Sequence, residues 1–125
     1  MSYFELCFVT LSVTNLTDAE RFYVDILGFE VTRRYEPTRW ISLSVDERSG
    51  GFGLIEAGDA FVPPPDSTVD IFVNDLDAYW RGIGDKVEVV SPPRRTPWGS
   101  YKAVIRDPSG NRLGFVESPV DKGAS

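Results

Sequence analysis

The side chains that could carry chemistry in this 125-residue chain are a restricted set, because the sequence contains no histidine and one cysteine. The lack of imidazole excludes Ser-His-Asp and Cys-His nucleophilic catalysis, an imidazole general base and imidazole metal ligands. A single cysteine also excludes an internal disulfide framework and a multi-cysteine zinc site. A reaction would therefore have to use carboxylates, tyrosine, lysine, arginine, the cysteine or backbone groups.

The carboxylates of Glu56 and Asp70 are the main candidates for holding or activating a ligand. Each lies on a predicted strand and could hold a cation or act as a base, and burial raises the pKa of a carboxyl group that has no partner. The alternative is a structural ion pair with Arg39 or Arg112. We predict that Glu56, Asp70 and Arg112 contact a ligand, and we assign no catalytic residue.

Three aromatic side chains could line a pocket, because large rings stack on flat ligands. Trp98 lies in the sequence TPWG at residues 96–99, which shows no periodic core pattern, and Trp40 begins a predicted strand. Tyr101 points to the same side as Trp98 if the alternation of the next strand continues. For the tryptophans the alternative is packing against a loop or a partner subunit. All three residues are predicted ligand contacts.

The periodicity of apolar residues places these side chains on a regular set of elements. Thr17 and Glu20 have the spacing of a capping box, which predicts a helix that ends at Gly28, and Asp75 predicts the start of a second helix. Residues 91–97 are predicted to be a loop rich in proline and arginine. Alternating patterns predict strands at residues 6–13, 29–35, 40–45, 52–57, 68–73, 87–90, 100–106 and 112–117.

The order of these elements is βαβββ in both halves of the chain, which indicates an internal repeat. We predict a single α+β domain over residues 1–125. Its parts are a first βαβββ module at 4–57, a Pro-rich linker at 58–67, a second βαβββ module at 68–118 and a loose tail at 119–125.

Polar residues alternate with the apolar residues of these strands and should share the opposite faces of the sheets. Buried polar groups need water or a ligand as a partner, so this pattern predicts a ligand-shaped cavity. The alternative is an ordinary filled core. The residues concerned are Thr10, Ser12, Ser42, Ser44 and Asp70.

Several stretches resemble motifs of the vicinal oxygen chelate superfamily, also called the glyoxalase/bleomycin-resistance/dioxygenase superfamily. The resemblance covers about residues 4–118 and is specific for the fold rather than for one chemistry. It implies two βαβββ modules that pair into a cup-shaped mixed sheet, with the helices outside and the ligand in the cup. The stretches are VTLSVTNL at 9–16, RFYVDILGF at 21–29, VNDLD at 73–77 and RDPSGN at 106–111.

The resemblance also implies where metal-dependent members carry their ligands, normally His, Glu or Gln, one from each of four strands. Carried over, these positions fall on Phe8, Thr68 and Gly114, and on either Leu54 or Glu56. At most one carboxylate remains, and it cannot fill a divalent-metal shell of about four to six ligands. We therefore expect no metal and no cofactor, and we place Phe8, Thr68 and Gly114 among the ligand contacts as the floor of the cavity.

The metal-free branch of the superfamily includes bleomycin-type resistance proteins, and TPWG followed by RDPSGN is similar to their C-terminal part. The resemblance implies a homodimer that sequesters a drug or metabolite in a dimer cleft. A metal-free lyase or isomerase that uses a carboxylate or tyrosine, and a module for protein association, remain alternatives. The net charge of −6 disfavours nucleic acid and is compatible with a cationic or neutral ligand. We expect a small-molecule ligand that is cationic or aromatic. We expect a cytoplasmic location without membrane contact.

Overall fold

Each half of the chain folds into a four-stranded mixed sheet with its own helical segment. The computed structural model describes residues 3, 9–45 and 51–118. The chain divides into two units, Met1–Val62 and Pro63–Ser125. This α+β architecture, with βαβββ repeated, confirms the predicted fold class. Among the described residues, no helix is long and apolar enough to cross a membrane.

In the first unit the strand order across the sheet is β1-β4-β3-β2. Strand β1 runs parallel to β4, and the other neighbours are antiparallel. Helix α1 continues as a π-helical segment at Phe22–Ile26, and a short 3₁₀ turn at Glu36–Thr38 precedes β3. The regular elements are β1 Val9–Val13, α1 Leu16–Arg21, β2 Glu30–Tyr35, β3 Trp40–Ser44 and β4 Phe52–Glu56.

The second unit repeats this topology. Its strand order is β5-β8-β7-β6, with β5 parallel to β8 and the other neighbours antiparallel. The predicted turn at residues 107–110 joins β7 to β8, and the Gly110 amide donates to the Asp107 carbonyl at 2.9 Å. The elements are β5 Thr68–Val73, α2 Leu76–Ile83, β6 Glu88–Arg95, β7 Tyr101–Arg106 and β8 Arg112–Glu117.

Both helices begin with the same type of cap. The side chain of Asn15 accepts a hydrogen bond from the Asp18 amide at 2.9 Å, and Asp75 accepts one from the Ala78 amide at 3.1 Å. The predicted cap at Thr17 is therefore wrong, because Asn15 has the extended backbone and the side-chain acceptor that an N-cap requires. The Asp75 cap is confirmed.

Strand β6 differs from its prediction, because it continues to Arg95 through most of the predicted loop. Proline cannot donate to a strand ladder and is tolerated at sheet edges. β6 is an edge strand, and its register with β7 shifts on both sides of Ser91. This irregularity accommodates the two prolines that follow Ser91, so Arg94 and Arg95 pair with β7 instead of lying in a loop.

The core of each unit lies between the sheet and its helix. Tyr23 packs edge-to-face against Phe52 in the first unit, and Tyr79 packs in the same way against Phe115 in the second. We call the face of each sheet opposite this core the open face. The strand residues that are completely buried on the core side are Val13, Ile41, Leu43 and Leu54 in the first unit, and Ala103, Ile105, Leu113 and Phe115 in the second.

Candidate ligand-binding site

The open face of the first sheet carries the polar residues that the alternation predicted. Thr10 pairs with Gly53, which in turn pairs with Ser42, so the three residues lie in one row across β1, β4 and β3. Ser42 is only 5% exposed, and its hydroxyl lies 2.8 Å from the hydroxyl of Thr32. Ser12 and Ser44 share this face by alternation. The open face of the first sheet is therefore lined with hydroxyl groups.

Trp40 spans this face above a glycine. Its Nε1 donates to the Thr10 Oγ1 at 3.3 Å. A Cβ atom on Gly53 would lie 2.7 Å from the Trp40 Nε1 and 2.9 Å from the Thr10 Oγ1. The indole can reach across β4 only because Gly53 has no side chain.

The open face of the second sheet contains an ion pair above another glycine. The Lys102 Nζ lies 3.0 Å from the Asp70 Oδ1, and the Lys102 side chain is 17% exposed. A Cβ atom on Gly114 would overlap the Asp70 carboxylate and lie 2.8 Å from the Lys102 Cε. Because Gly114 has no side chain, the side chains of Asp70 on β5 and Lys102 on β7 can meet above β8. Thr68 and Arg112, which pair across β5 and β8, lie in the next row of this face.

The two glycine-spanned pairs occupy corresponding positions of the repeated modules. In each module, the first strand contributes one partner and the third strand contributes the other, and the glycine of the fourth strand lies between them. One module uses an indole and a hydroxyl, and the other uses an ammonium and a carboxylate. The corresponding positions are Thr10 and Asp70, Gly53 and Gly114, Ile55 and Val116, and Trp40 and Lys102.

Glu56 does not lie on the open face, which corrects its predicted placement in the cup. Its Oε1 accepts a hydrogen bond from the Leu16 amide at 2.9 Å and lies 3.3 Å from the Arg39 Nη2. The Leu16 hydrogen bond, together with Arg39, lowers the pKa of the Glu56 carboxyl group. Leu54 also points into the core, so Gly53 and not Leu54 or Glu56 is the β4 residue in the central row of the open face. Successive residues of a strand point to opposite faces of the sheet, so Leu54 and Glu56 share the core side and Gly53 lies on the open face.

The Glu56 contacts predict a specific response to acid. Because the folded-state pKa is lowered, the stabilisation is present above the ordinary pKa and is lost as the pH falls through the folded-state value. Glu56→Gln should reduce stability at pH 7 and should flatten the loss of stability between pH 5 and pH 3, as measured by urea unfolding. Glu30→Gln, which removes an exposed carboxylate from the same unit, corrects for the general effect of one charge. Equal acid sensitivity of the Glu56 variant and the unmodified protein would contradict this assignment.

Tyr101 also lies on the core side of its sheet and not with Lys102 on the open face. Its hydroxyl donates to the Asp77 Oδ1 at 2.7 Å, and the Arg95 guanidinium lies 5.4 Å from the centre of its ring. The hydrogen bond to Asp77 raises the pKa of the Tyr101 phenol. Tyr101 therefore does not point into the cup, which corrects the placement predicted from strand alternation. Phe8 lies outside the described residues.

A cavity of about 290 Å³ lies within the second unit, where β5, β6 and β8 end and β7 begins. We call it the strand-end cavity. Tyr101 is the one lining residue that the sequence analysis predicts as a ligand contact. Phe72 was missed although it is a lone large apolar residue on an otherwise polar strand face, and Arg95 was missed because it was placed in a loop. The residues that line the cavity are Phe72, Arg95, Gly99, Ser100, Tyr101, Val116, Glu117 and Ser118.

Trp98 lies in the hairpin turn beside this cavity and is 72% exposed. The Thr96 amide donates to the Ser100 carbonyl at 2.8 Å, and the Gly99 amide donates to the Thr96 carbonyl at 3.0 Å. Gly99 has φ +94°, which favours glycine in this turn. The turn therefore presents the indole to solvent next to two cavity-lining residues.

Comparison with known proteins identifies the family. A sequence model of the Glyoxalase/Bleomycin resistance protein/Dioxygenase superfamily matches residues 6–115. The chain belongs to this superfamily. No curated protein matches the sequence.

Solved structures of the superfamily's fold align with most of the chain. An integron cassette protein from the Halifax Harbour sewage outfall metagenome has 25% identity and a TM-score of 0.77, over 91% of this chain and 98% of that one. TnmS3, an antibiotic-binding protein from Streptomyces sp. CB03234, has 23% identity and a TM-score of 0.73, over 94% and 98%. A superfamily member from Sphaerobacter thermophilus has 20% identity and a TM-score of 0.70, over 94% and 98%.

The residues at the superfamily's metal-ligand positions do not fit a divalent metal. Gly114 has no side chain, Thr68 offers one neutral hydroxyl, and the Glu56 carboxylate is turned to the core side. Asp70, the acidic residue nearest to these positions in the second unit, is bound to Lys102. Within residues 9–45 and 51–118, no group of three or more His, Cys, Asp or Glu residues is placed to hold a metal ion. The donor set therefore disagrees with the metal site of metal-dependent relatives.

Proposed function

We propose that the protein is a metal-independent small-molecule-binding protein that sequesters a drug or metabolite. The observation that carries the proposal is the chemistry of the two open faces. Two of the positions that would need metal ligands hold the glycine Gly114 and the hydroxyl of Thr68, the neighbouring Asp70 is bound to Lys102, and the surrounding side chains are hydroxyl groups and aromatic rings. Such a surface can bind a polar organic molecule by hydrogen bonds and stacking.

The fold shared with TnmS3 supports this class of function by analogy, since TnmS3 is described as an antibiotic-binding protein. We extend the proposal to a cytoplasmic homodimer whose cleft holds the ligand. The contacts we propose on the open faces are Thr10, Trp40, Ser42, Thr68, Asp70, Arg112 and Gly114, with Trp98 at the turn.

A metal-free enzyme is the alternative function. It is disfavoured because the side chains that could transfer a proton are already bound to structural partners. Glu56 caps a helix, and Tyr101 already donates to Asp77 and has a raised pKa, which disfavours its use as a base. Asp70 is neutralised by Lys102. Each carboxylate or phenol proposed for proton transfer therefore has a structural partner.

Titration with a panel of aromatic antibiotics tests the proposal. Isothermal titration calorimetry should find a compound that binds with a fixed stoichiometry, and mass spectrometry after incubation should recover it unchanged. Sequestration requires tight ground-state binding, whereas an enzyme gains rate only from binding its transition state more tightly. Conversion of the bound compound to a product would refute sequestration, and the absence of any binder would favour the association module.

The metal-independent part of the proposal has its own test. Elemental analysis of the purified protein should find no stoichiometric Zn, Ni, Fe or Mn, and EDTA should leave the melting temperature unchanged. A resident metal stabilises a fold by mass action, so its removal by a chelator would lower the melting temperature. One tightly bound equivalent of a transition metal whose retention depends on Asp70 would overturn the metal-independent reading.

A further inference from the structure

The strand-end cavity differs chemically from the open faces. It joins residues from both faces of the second sheet, because Phe72 and Val116 belong to the open face while Tyr101 and Glu117 belong to the core side. Phe72 is 70% exposed, although it is a large apolar side chain. At about 290 Å³, the cavity is near the lower size limit of small-molecule pockets, which suits a ligand of one or two rings.

One cation in this cavity has no counter-ion within the part of the chain that the structure describes. The Arg95 guanidinium lies over the Tyr101 ring, 5.4 Å from its centre, and among the described residues Arg95 forms no ion pair. Stacking on an aromatic face orients a guanidinium while its N–H edge stays able to bind a planar anion in two places. The backbone beside it is open, since the space around a Cβ atom on Gly99 is empty to 4 Å.

The acidic groups near the cavity are already held by donors. The Glu117 Oε1 accepts a hydrogen bond from the Leu76 amide at 3.2 Å, at the start of α2, and Asp77 accepts the Tyr101 hydroxyl. A helix N-terminus partly compensates the charge of a carboxylate placed there. Arg95 is therefore the cation that lines the cavity, no described carboxylate forms an ion pair with it, and Phe72 and Val116 form the apolar wall.

We propose that the strand-end cavity binds a planar aromatic carboxylate, with the ring on Phe72 and Val116 and the carboxylate on the Arg95 guanidinium. This inference rests on the proposed function and names the chemical class of ligand for one of its surfaces. It assigns an anionic ligand to a chain of net charge −6, because the local charge at Arg95 and not the total charge decides which group binds there.

Three probes that share one ring system test the proposal: 2-naphthoate, 2-naphthylmethanol and 2-naphthylmethylammonium. Calorimetry should give a dissociation constant for the carboxylate at least about fivefold below that of the alcohol, since a charge-assisted hydrogen bond is stronger than a neutral one. The ammonium should bind more weakly than both. In protein NMR spectra, the amide signals of Gly99 and Ser100 should shift on addition of the carboxylate.

Matched variants separate the two parts of the site. Arg95→Gln should remove the advantage of the carboxylate over the alcohol, while Phe72→Ala should weaken both by about tenfold through loss of the apolar wall. Arg94→Gln is the control, because Arg94 is the adjacent arginine on the opposite strand face, where its Nε donates to Ser91. It should change neither value.

Several results would overturn the proposal. They are tighter binding of the ammonium, a carboxylate preference that survives Arg95→Gln, an equal effect of Arg94→Gln, and no binding of 2-naphthoate up to about 5 mM. Failure of this inference is distinguishable from failure of the proposed function. An antibiotic that binds stoichiometrically, with an affinity that depends on Trp40 or Lys102 and not on Phe72 or Arg95, would keep sequestration and reject this cavity as its site.

Discussion

Asp107→Ala should destabilise the fold by about 3 kcal/mol or more, because it leaves buried N–H donors without their acceptor. Asp107 is 3% exposed, and its Oδ1 accepts from the Ser109 amide at 2.9 Å and from the Asn111 amide at 2.8 Å. Its Oδ2 accepts from the Asn111 Nδ2 at 3.1 Å. These bonds close the turn that sets β8 against β7. Urea unfolding measures the loss.

Two further variants make this result specific. Asp107→Asn keeps an oxygen for the backbone donors and should lose less than half as much stability. Asp59→Ala removes an exposed aspartate from the chain and should change the free energy of unfolding by less than about 0.5 kcal/mol. A loss below about 1 kcal/mol for Asp107→Ala would mean that other groups or water satisfy the turn.

Trp98→Ala should weaken binding of the tightest compound from the antibiotic panel by about 30-fold, which corresponds to about 2 kcal/mol and is typical of an aromatic hot spot. The indole projects from a turn fixed by hydrogen bonds across Thr96 and Ser100, so it is presented to a ligand at a low entropic cost. Because Trp98 is largely exposed, its removal should change the melting temperature little. Isothermal titration calorimetry measures the affinity, and thermal unfolding followed by tryptophan fluorescence measures the melting temperature.

Trp98→Phe and Tyr35→Ala serve as controls for this experiment. The phenylalanine variant keeps a stacking ring and should recover part of the affinity. Tyr35 is an exposed aromatic residue at the end of β2, and its removal should leave binding unchanged. If Trp98→Ala lowers the melting temperature strongly while binding by the folded fraction is unaffected, Trp98 is a packing residue.

The sequence by itself determined the elements and their repetition. Period-two alternation placed β5 and β8 at their observed bounds, because one face of each strand must be apolar to cover a helix. Likewise, the Asp75 cap and the 107–110 turn depend on local side-chain and backbone chemistry, which a short stretch of sequence contains. The same local logic failed at Thr17, where Asn15, two residues earlier, supplied a competing cap.

Only the tertiary structure decided which side chains meet across strands. Glu56 and Asp70 look alike in the sequence, yet strand register turns one to a helix terminus and sets the other against Lys102. The sequence did not single out Gly53, and it did not show that Gly114 makes room for a cross-strand ion pair, since a missing side chain matters only when neighbouring strands bring large groups above it. Arg95 became a cavity residue because β6 tolerates proline at a sheet edge. Register, edge position and cross-strand contact arise from pairings between residues far apart in the chain, and local patterns do not specify them.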